Sequence, residues 1–333
     1  MDLIYERVRD GALDAGYLTK FNADFDITTN TENVTNDFEI TMSLPEDPSE
    51  LFWKEDEIST IIYVEGTEWG GEIRGAEIDI EANTITYTGK TWRGLLSQYV
   101  IEPPSGQDYK TVSGNVATII RQLPMNSIFT VADTDYESGT FQFNRYITTF
   151  EGITDLLKSV EDGLRFILEY KNDGVIMKIA PARDLTNLIE VSQDYNDKVR
   201  LKITYDHETP HHLICLGQGE LKNRQVVHYY ADGEWNITTT EIPNAHPVDI
   251  YDYSSSKNIT QDGLKKYKEI IQSHRQIDVN IEDLDVQLSD IISAKDYITG
   301  QIITAEITGI VWKCENYGTY QIEEFDYKTE VRT

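Results

Sequence analysis

Five residues of this chain carry the spacing of a catalytic zinc centre: His207-Glu208-Thr209-Pro210-His211. The H-E-x-x-H chemistry needs a helix, because residues four apart then place both imidazoles on one face. Glu234 is the natural third ligand, and the activity implied is that of a zinc peptidase. Pro210 works against this. It lacks an N–H, and inside a helix its ring clashes with the carbonyl four residues back, at a cost of about 3 kcal/mol or more. The flanks Leu201–Tyr205 and Leu213–Leu216 read as strands, so the spacing predicts a loop between them. The pair His211-His212 is no better as a chelate, since adjacent residues of a strand point to opposite faces.

The remaining chemical motifs are partial. Gly217-Gln218-Gly219-Glu220 resembles half a phosphate loop but lacks the third glycine and the helix that would follow, and a tight connection between strands explains it. Asp133 and Asp135 have calcium-like spacing without the rest of an EF-hand loop. No G-x-S-x-G, Walker A or C-x-x-C pattern is present. Trp69, Trp235 and Trp312 could serve as stacking platforms in a cell-wall or carbohydrate-binding β module, or could be core and subunit contacts. The sequence therefore assigns no catalytic, cofactor-binding or metal residue. The zinc peptidase and the glycan-binding module stand as alternative functions.

The chain of 333 residues holds 58 acidic and 29 basic residues, a net charge of −29. Such a length implies two or three domains. The charge argues against binding nucleic acid or an anionic membrane, because phosphate-binding surfaces need clustered Lys and Arg. Cys215 and Cys314 sit in apolar, strand-like surroundings and read as buried free thiols. The N-terminus lacks a secretory signal and no stretch approaches a membrane span, so a chain folded in the cytoplasm is expected.

The elements that must position these residues are mostly strands. Twenty tyrosines, with abundant Thr and Ile, favour them. Candidate strands are Leu3–Arg9, Phe38–Leu44, Thr60–Glu65, Gly71–Ile80 and Thr84–Thr88. Helical spacing covers Trp92–Val100, Thr111–Leu123 (capped by Thr111 or Ser113) and Phe150–Val160. The strands Leu164–Tyr170 and Val175–Ala180 flank Asn172-Asp173-Gly174, a hairpin signal. Thr260–His274 is a lone helix among the later strands. The fold class expected is mainly β with an α+β insertion. A first β-barrel-like domain spans 1–90, and an α+β domain spans 91–185. A second β-barrel-like domain takes 186–255 and 278–333, with a helical insertion at 256–277.

Four blocks carry a family resemblance. The first is Gly89-Lys90-Thr91-Trp92-Arg93-Gly94-Leu95-Leu96, running on to Pro103-Pro104. The second comprises Gly152–Leu157, Gly163-Leu164-Arg165-Phe166 and Ala182-Arg183-Asp184-Leu185-Thr186. The third is Leu213–Arg224. The fourth, Val286-Gln287-Leu288-Ser289-Asp290-Ile291-Ile292, resembles a "leu-gly-asp-ile-val" step, with Ser289 at the usual glycine. In this order they resemble the siphovirus-type phage tail hub family, related to contractile-phage baseplate hubs and to the N-terminal part of tail-associated lysins. The resemblance implies a virion structural protein, not an enzyme. It implies a homotrimeric ring at the tail tip, joining the tail tube or distal tail ring protein to a spike, fibre or lysin module. DNA and the tape measure protein would pass through that ring. Three copies carry three times the charge of −29, which suits a lumen that must not hold DNA.

Overall fold

The computed structural model describes residues 1–9, 12–31, 35–46, 51–52, 60–160, 163–186, 190–191, 199–205, 208–256, 258–273, 275–281, 286–295 and 302–331. The fold is mostly β, as the composition predicts. The chain forms two compact units. One comprises Met1–Leu188, Asn280–Ile291 and Ile307–Lys328, and the other Ile189–Val279, Ile292–Glu306 and Thr329–Thr333.

The first unit is built on one antiparallel sheet. Its strand order is Ala12–Tyr17, Ile4–Arg9, Ile61–Tyr63, Gly70–Asp79, Thr84–Thr91, Asp37–Ser43 and Phe21–Thr28, followed by the parts of Ile302–Asn316 and Gln321–Val331 that belong to this unit. Alternation drives burial: along Phe21–Thr28, Phe21, Ala23, Phe25 and Ile27 point inward while Asn22 and Asp24 stay exposed. The sheet curls over an aromatic interior. Trp312 lies 5.3 Å from Phe25 and 5.4 Å from Trp69, between ring centroids, and Trp69 reaches Phe325 at 6.0 Å. Met1 meets the last strand, its carbonyl accepting a 2.6 Å bond from Gln321 Nε2 and its amino group pairing with Glu323.

Thr84–Thr91 runs straight into the helix Trp92–Leu96, with Thr91 as its N-cap. Gly94 lets this helix press on the sheet, since a Cβ there would stand 2.0 Å from the Asn36 carbonyl. The helix predicted over Thr111–Leu123 is split. Thr111–Asn115 is a strand, Gly114 turns it at φ +109°, and the helix spans only Val116–Arg121. Asn115 rather than Thr111 or Ser113 is the cap, its side chain accepting a 3.1 Å bond from Thr118 N. Thr149–Ser159 begins in a capping box between Thr148 and Glu151 and buries Phe150, Ile153, Leu156 and Leu157. It packs on the hairpin of Leu164–Tyr170 with Val175–Pro181. Asn172 and Asp173 both take positive φ there, as a two-residue hairpin loop requires.

In the second unit a four-stranded sheet is ordered Ile237–Thr238, Val226–Ala231, His212–Leu216, Val248–Asp252. The helix Ile259–Ser273 covers one face, burying Leu213, Cys215 and Tyr229 with its own Ile259, Tyr267 and Ile271. Gly263 sets the spacing: a Cβ there would meet Cys215 Sγ at 2.6 Å. Both cysteines are free and buried, and burial pushes each thiol up to about 11.

Candidate functional site

His207, the first residue of the zinc-like motif, lies outside the described residues. Glu208, Thr209 and Pro210 form turn and loop, and the strand His212–Leu216 starts at once. The helix that would align two imidazoles is therefore missing from the described part of the motif. His211 stacks on Trp235, with centroids 4.3 Å apart, and its Nδ1 lies 3.1 Å from the Ala231 carbonyl. The Pro210 carbonyl accepts the Tyr267 hydroxyl at 2.9 Å. Glu234 is exposed in the Asp232–Asn236 turn, its N–H bonded to Asp232. Among the described residues no group of three or more His, Cys, Asp and Glu side chains is placed to hold a metal ion.

The partial motifs resolve as scaffold. Gly219 takes φ +102° in the connection after His212–Leu216, a short 3-10 turn follows at Leu221–Asn223, and Arg224 Nε bonds back to the Gly217 carbonyl at 3.1 Å. Asp133 pairs with Arg121 at 2.6 Å and is otherwise solvated. The tryptophans correct the glycan-platform alternative. Trp312 is fully buried, Trp69 is only 9% exposed, and Trp235 is partly covered by His211. Trp312, on an inward position of Ile302–Asn316, and Trp69, just before the strand Gly70–Asp79, are core and present no stacking surface.

The second and fourth resemblance blocks build a buried ionic clasp in the first unit. Asp290, wholly buried, accepts Arg165 Nη1 at 2.8 Å and Arg183 Nε at 2.9 Å on one oxygen. Its other oxygen accepts Arg183 Nη2 and the Gln287 N–H, the latter at 2.6 Å. Arg165 also donates to the Leu288 carbonyl at 2.7 Å and to Gln287 Oε1 at 3.2 Å. Burial pulls the Arg165 pKa down, and Asp290 opposes that pull. Ser289 sits at φ +65° in the turn closed by Asp290 N–H to the Gln287 carbonyl. That is the left-handed region, which explains physically why glycine suits this step. Arg93 makes a second buried contact: it pairs with Glu68, lies 4.2 Å over the Phe166 ring and donates to the Phe166 carbonyl at 3.1 Å. Sequence reasoning quoted Arg93, Arg165, Arg183 and Asp290 without pairing them. The available signal was an arginine inside an otherwise apolar strand, Leu164-Arg165-Phe166-Ile167-Leu168, which demands a buried partner.

The outer face of the first unit's sheet is a lattice of charge. Asp24 stands opposite Glu39 and Lys313, and Asp26 opposite Asp37. Lys313 pairs with Asp326 at 2.9 Å, Lys328 with Asp26 at 2.7 Å and Lys90 with Asp37 at 3.6 Å. Partial desolvation by the surrounding side chains raises the Asp24 carboxyl pKa, Lys313 lowers it, and Asp26, Glu39 and Asp326 raise it again. Apolar side chains are exposed on the strand Ala12–Tyr17, where Leu13 is 66% and Tyr17 69% exposed. Among the described residues this strand pairs on one side only, with Ile4–Arg9. An open edge with apolar side chains is a surface suited to another chain.

No protein-family model matches the chain, and its sequence matches no curated protein. Solved structures do match it, over its whole length. A 43 kDa tail protein of prophage MuSo2 from Shewanella oneidensis has a TM-score of 0.58 at 14% identity, with 98% of that chain covered. Prophage tail protein gp18 from Listeria monocytogenes EGD-e has 0.52 at 11%, with 95% covered. A tail protein from Neisseria meningitidis MC58 has 0.50 at 12%, with 96% covered. At these identities the likeness is one of fold, and the chain has the fold of phage tail proteins.

Proposed function

We propose that this chain is a non-enzymatic structural subunit of a phage or prophage tail tip. In this reading three copies form a hub ring. The ring joins the end of the tail tube, or a distal tail ring protein, to a spike, fibre or lysin module, and lets the tape measure protein and DNA pass. The observation that carries the reading is the correspondence of fold over 100% of this chain and 98% of a prophage tail protein. The buried clasp agrees with it, since residues of the second and fourth resemblance blocks hold the scaffold together.

The net charge of −29 fits a passage for DNA, because carboxylates repel phosphate and give no counterion-release affinity. Tight retention of duplex DNA by the assembled ring at low salt would sink that part of the reading. The whole proposal is tested in an inducible prophage that carries the gene. Deleting the gene should abolish attachment of the tip to the tube and restore nothing until it is supplied in trans. Normal infective tails without it would refute the proposal.

A further inference from the structure

The strands His212–Leu216 and Val226–Ala231 run antiparallel, with His212 opposite Tyr230 and Ile214 opposite His228. His212 and His228 are therefore diagonal neighbours on the same face of the pair. It is the face opposite Leu213, Cys215 and Tyr229, which pack on the helix Ile259–Ser273. The two rings stand 5.1 Å apart at 29°, and His212 Nε2 lies 2.9 Å from His228 Nδ1. Tyr230 stacks on His212 at 4.3 Å and holds its ring in place.

Two imidazole nitrogens aimed at one another can share a proton or a metal ion. Zinc–nitrogen bonds of about 2.0–2.1 Å in tetrahedral geometry separate two nitrogens by roughly 3.4 Å. A widening of about half an ångström, within the reach of ring rotation at an exposed site, would admit the ion.

We propose that His212 and His228 form a two-imidazole site for a first-row transition cation, with water completing the coordination shell. Among the described residues no third side chain joins them as a ligand group, so the site is open and its ion exchangeable. Affinity should follow the usual order, with Cu2+ above Ni2+ and Zn2+.

The test uses the full chain, stripped with a chelator and titrated with CuCl2 near neutral pH by calorimetry, with electron paramagnetic resonance of the loaded protein. One ion per chain is expected, with hyperfine coupling to two imidazole nitrogens. His212→Ala and His228→Ala should each weaken binding at least about tenfold and leave coupling to one nitrogen. His246→Ala should leave both readouts unchanged. Circular dichroism in chelator checks that each variant is folded, and lowering the pH of the wild type to about 5 should release the ion without any substitution. Copper binding that survives both substitutions, lacks imidazole coupling or persists unchanged at the lower pH overturns the proposal, as does a wild type that binds no copper.

Discussion

Asp290→Asn isolates the clasp that holds Arg165 and Arg183. The change keeps the shape of the side chain and removes its charge. Asp290 is the acidic partner of both guanidiniums and is fully buried, with Arg165 nearly so. The neutral amide would also present an N–H where Arg165 or the Gln287 N–H now donates. Removing one member of a buried ion pair costs about 3–5 kcal/mol, because the remaining charge stays desolvated. Against a total stability of about 5–15 kcal/mol, that loss is severe. Urea unfolding followed by tryptophan fluorescence reads it directly, since Trp69, Trp92 and Trp312 are buried in the first unit. The double variant Arg165→Met/Asp290→Leu should recover much of the loss, because an apolar pair of similar volume replaces a buried ion pair at little cost. Arg183 is partly exposed and can turn to water. A loss below about 1 kcal/mol for Asp290→Asn, the scale of a surface salt bridge, would refute the reasoning. So would a double variant less stable than the single one.

Four further outcomes follow from particular contacts. Ser289→Gly should stabilise the first unit by about 0.5–1 kcal/mol, the relief of a left-handed serine less the added freedom of the unfolded chain, and thermal unfolding measures it. Gly263→Ala should destabilise the second unit by about 1–3 kcal/mol through overpacking against Cys215, seen as a lower urea midpoint. Cys215 and Cys314, with thiols near 11, should resist a thiol reagent at about pH 8 until the chain is unfolded; prompt native labelling would contradict their burial. The lowered His212 pKa means that the unfolded chain takes up the proton first as pH falls below about 6.5. Stability of the second unit should therefore drop from neutral toward about pH 5, in a ring environment that includes His228, His246, Glu241 and Tyr230. His212→Gln should flatten that part of the profile.

The elements with clear periodicity were legible. Phe38–Leu44 and Gly71–Ile80 appear as strands shifted by about one residue, and Phe150–Val160 as the helix Thr149–Ser159. Ala12–Tyr17 and Phe21–Thr28 went unrecognised. Their polar positions carry Asp and Asn, which have poor strand propensity, and the buried Phe21, Phe25 and Ile27 override that preference. Gly114 breaks the helical spacing read over Thr111–Leu123. The resemblance blocks pointed to the right fold but not to their own purpose. Arg165 and Asp290 stand 125 residues apart, and a single sequence offers no signal that pairs them. Ser289 was noted as a departure from glycine, and its positive φ supplies the reason.

Native mass by light scattering, measured across a range of protein concentrations with and without the tail tube protein, tests the ring most directly. The account predicts a species holding three copies of the 38.2 kDa chain, heavier by the mass of the tube protein where that is bound, which persists on dilution once it is bound. A monomer of 38.2 kDa at every concentration, with the tube protein present as well as absent, would contradict it.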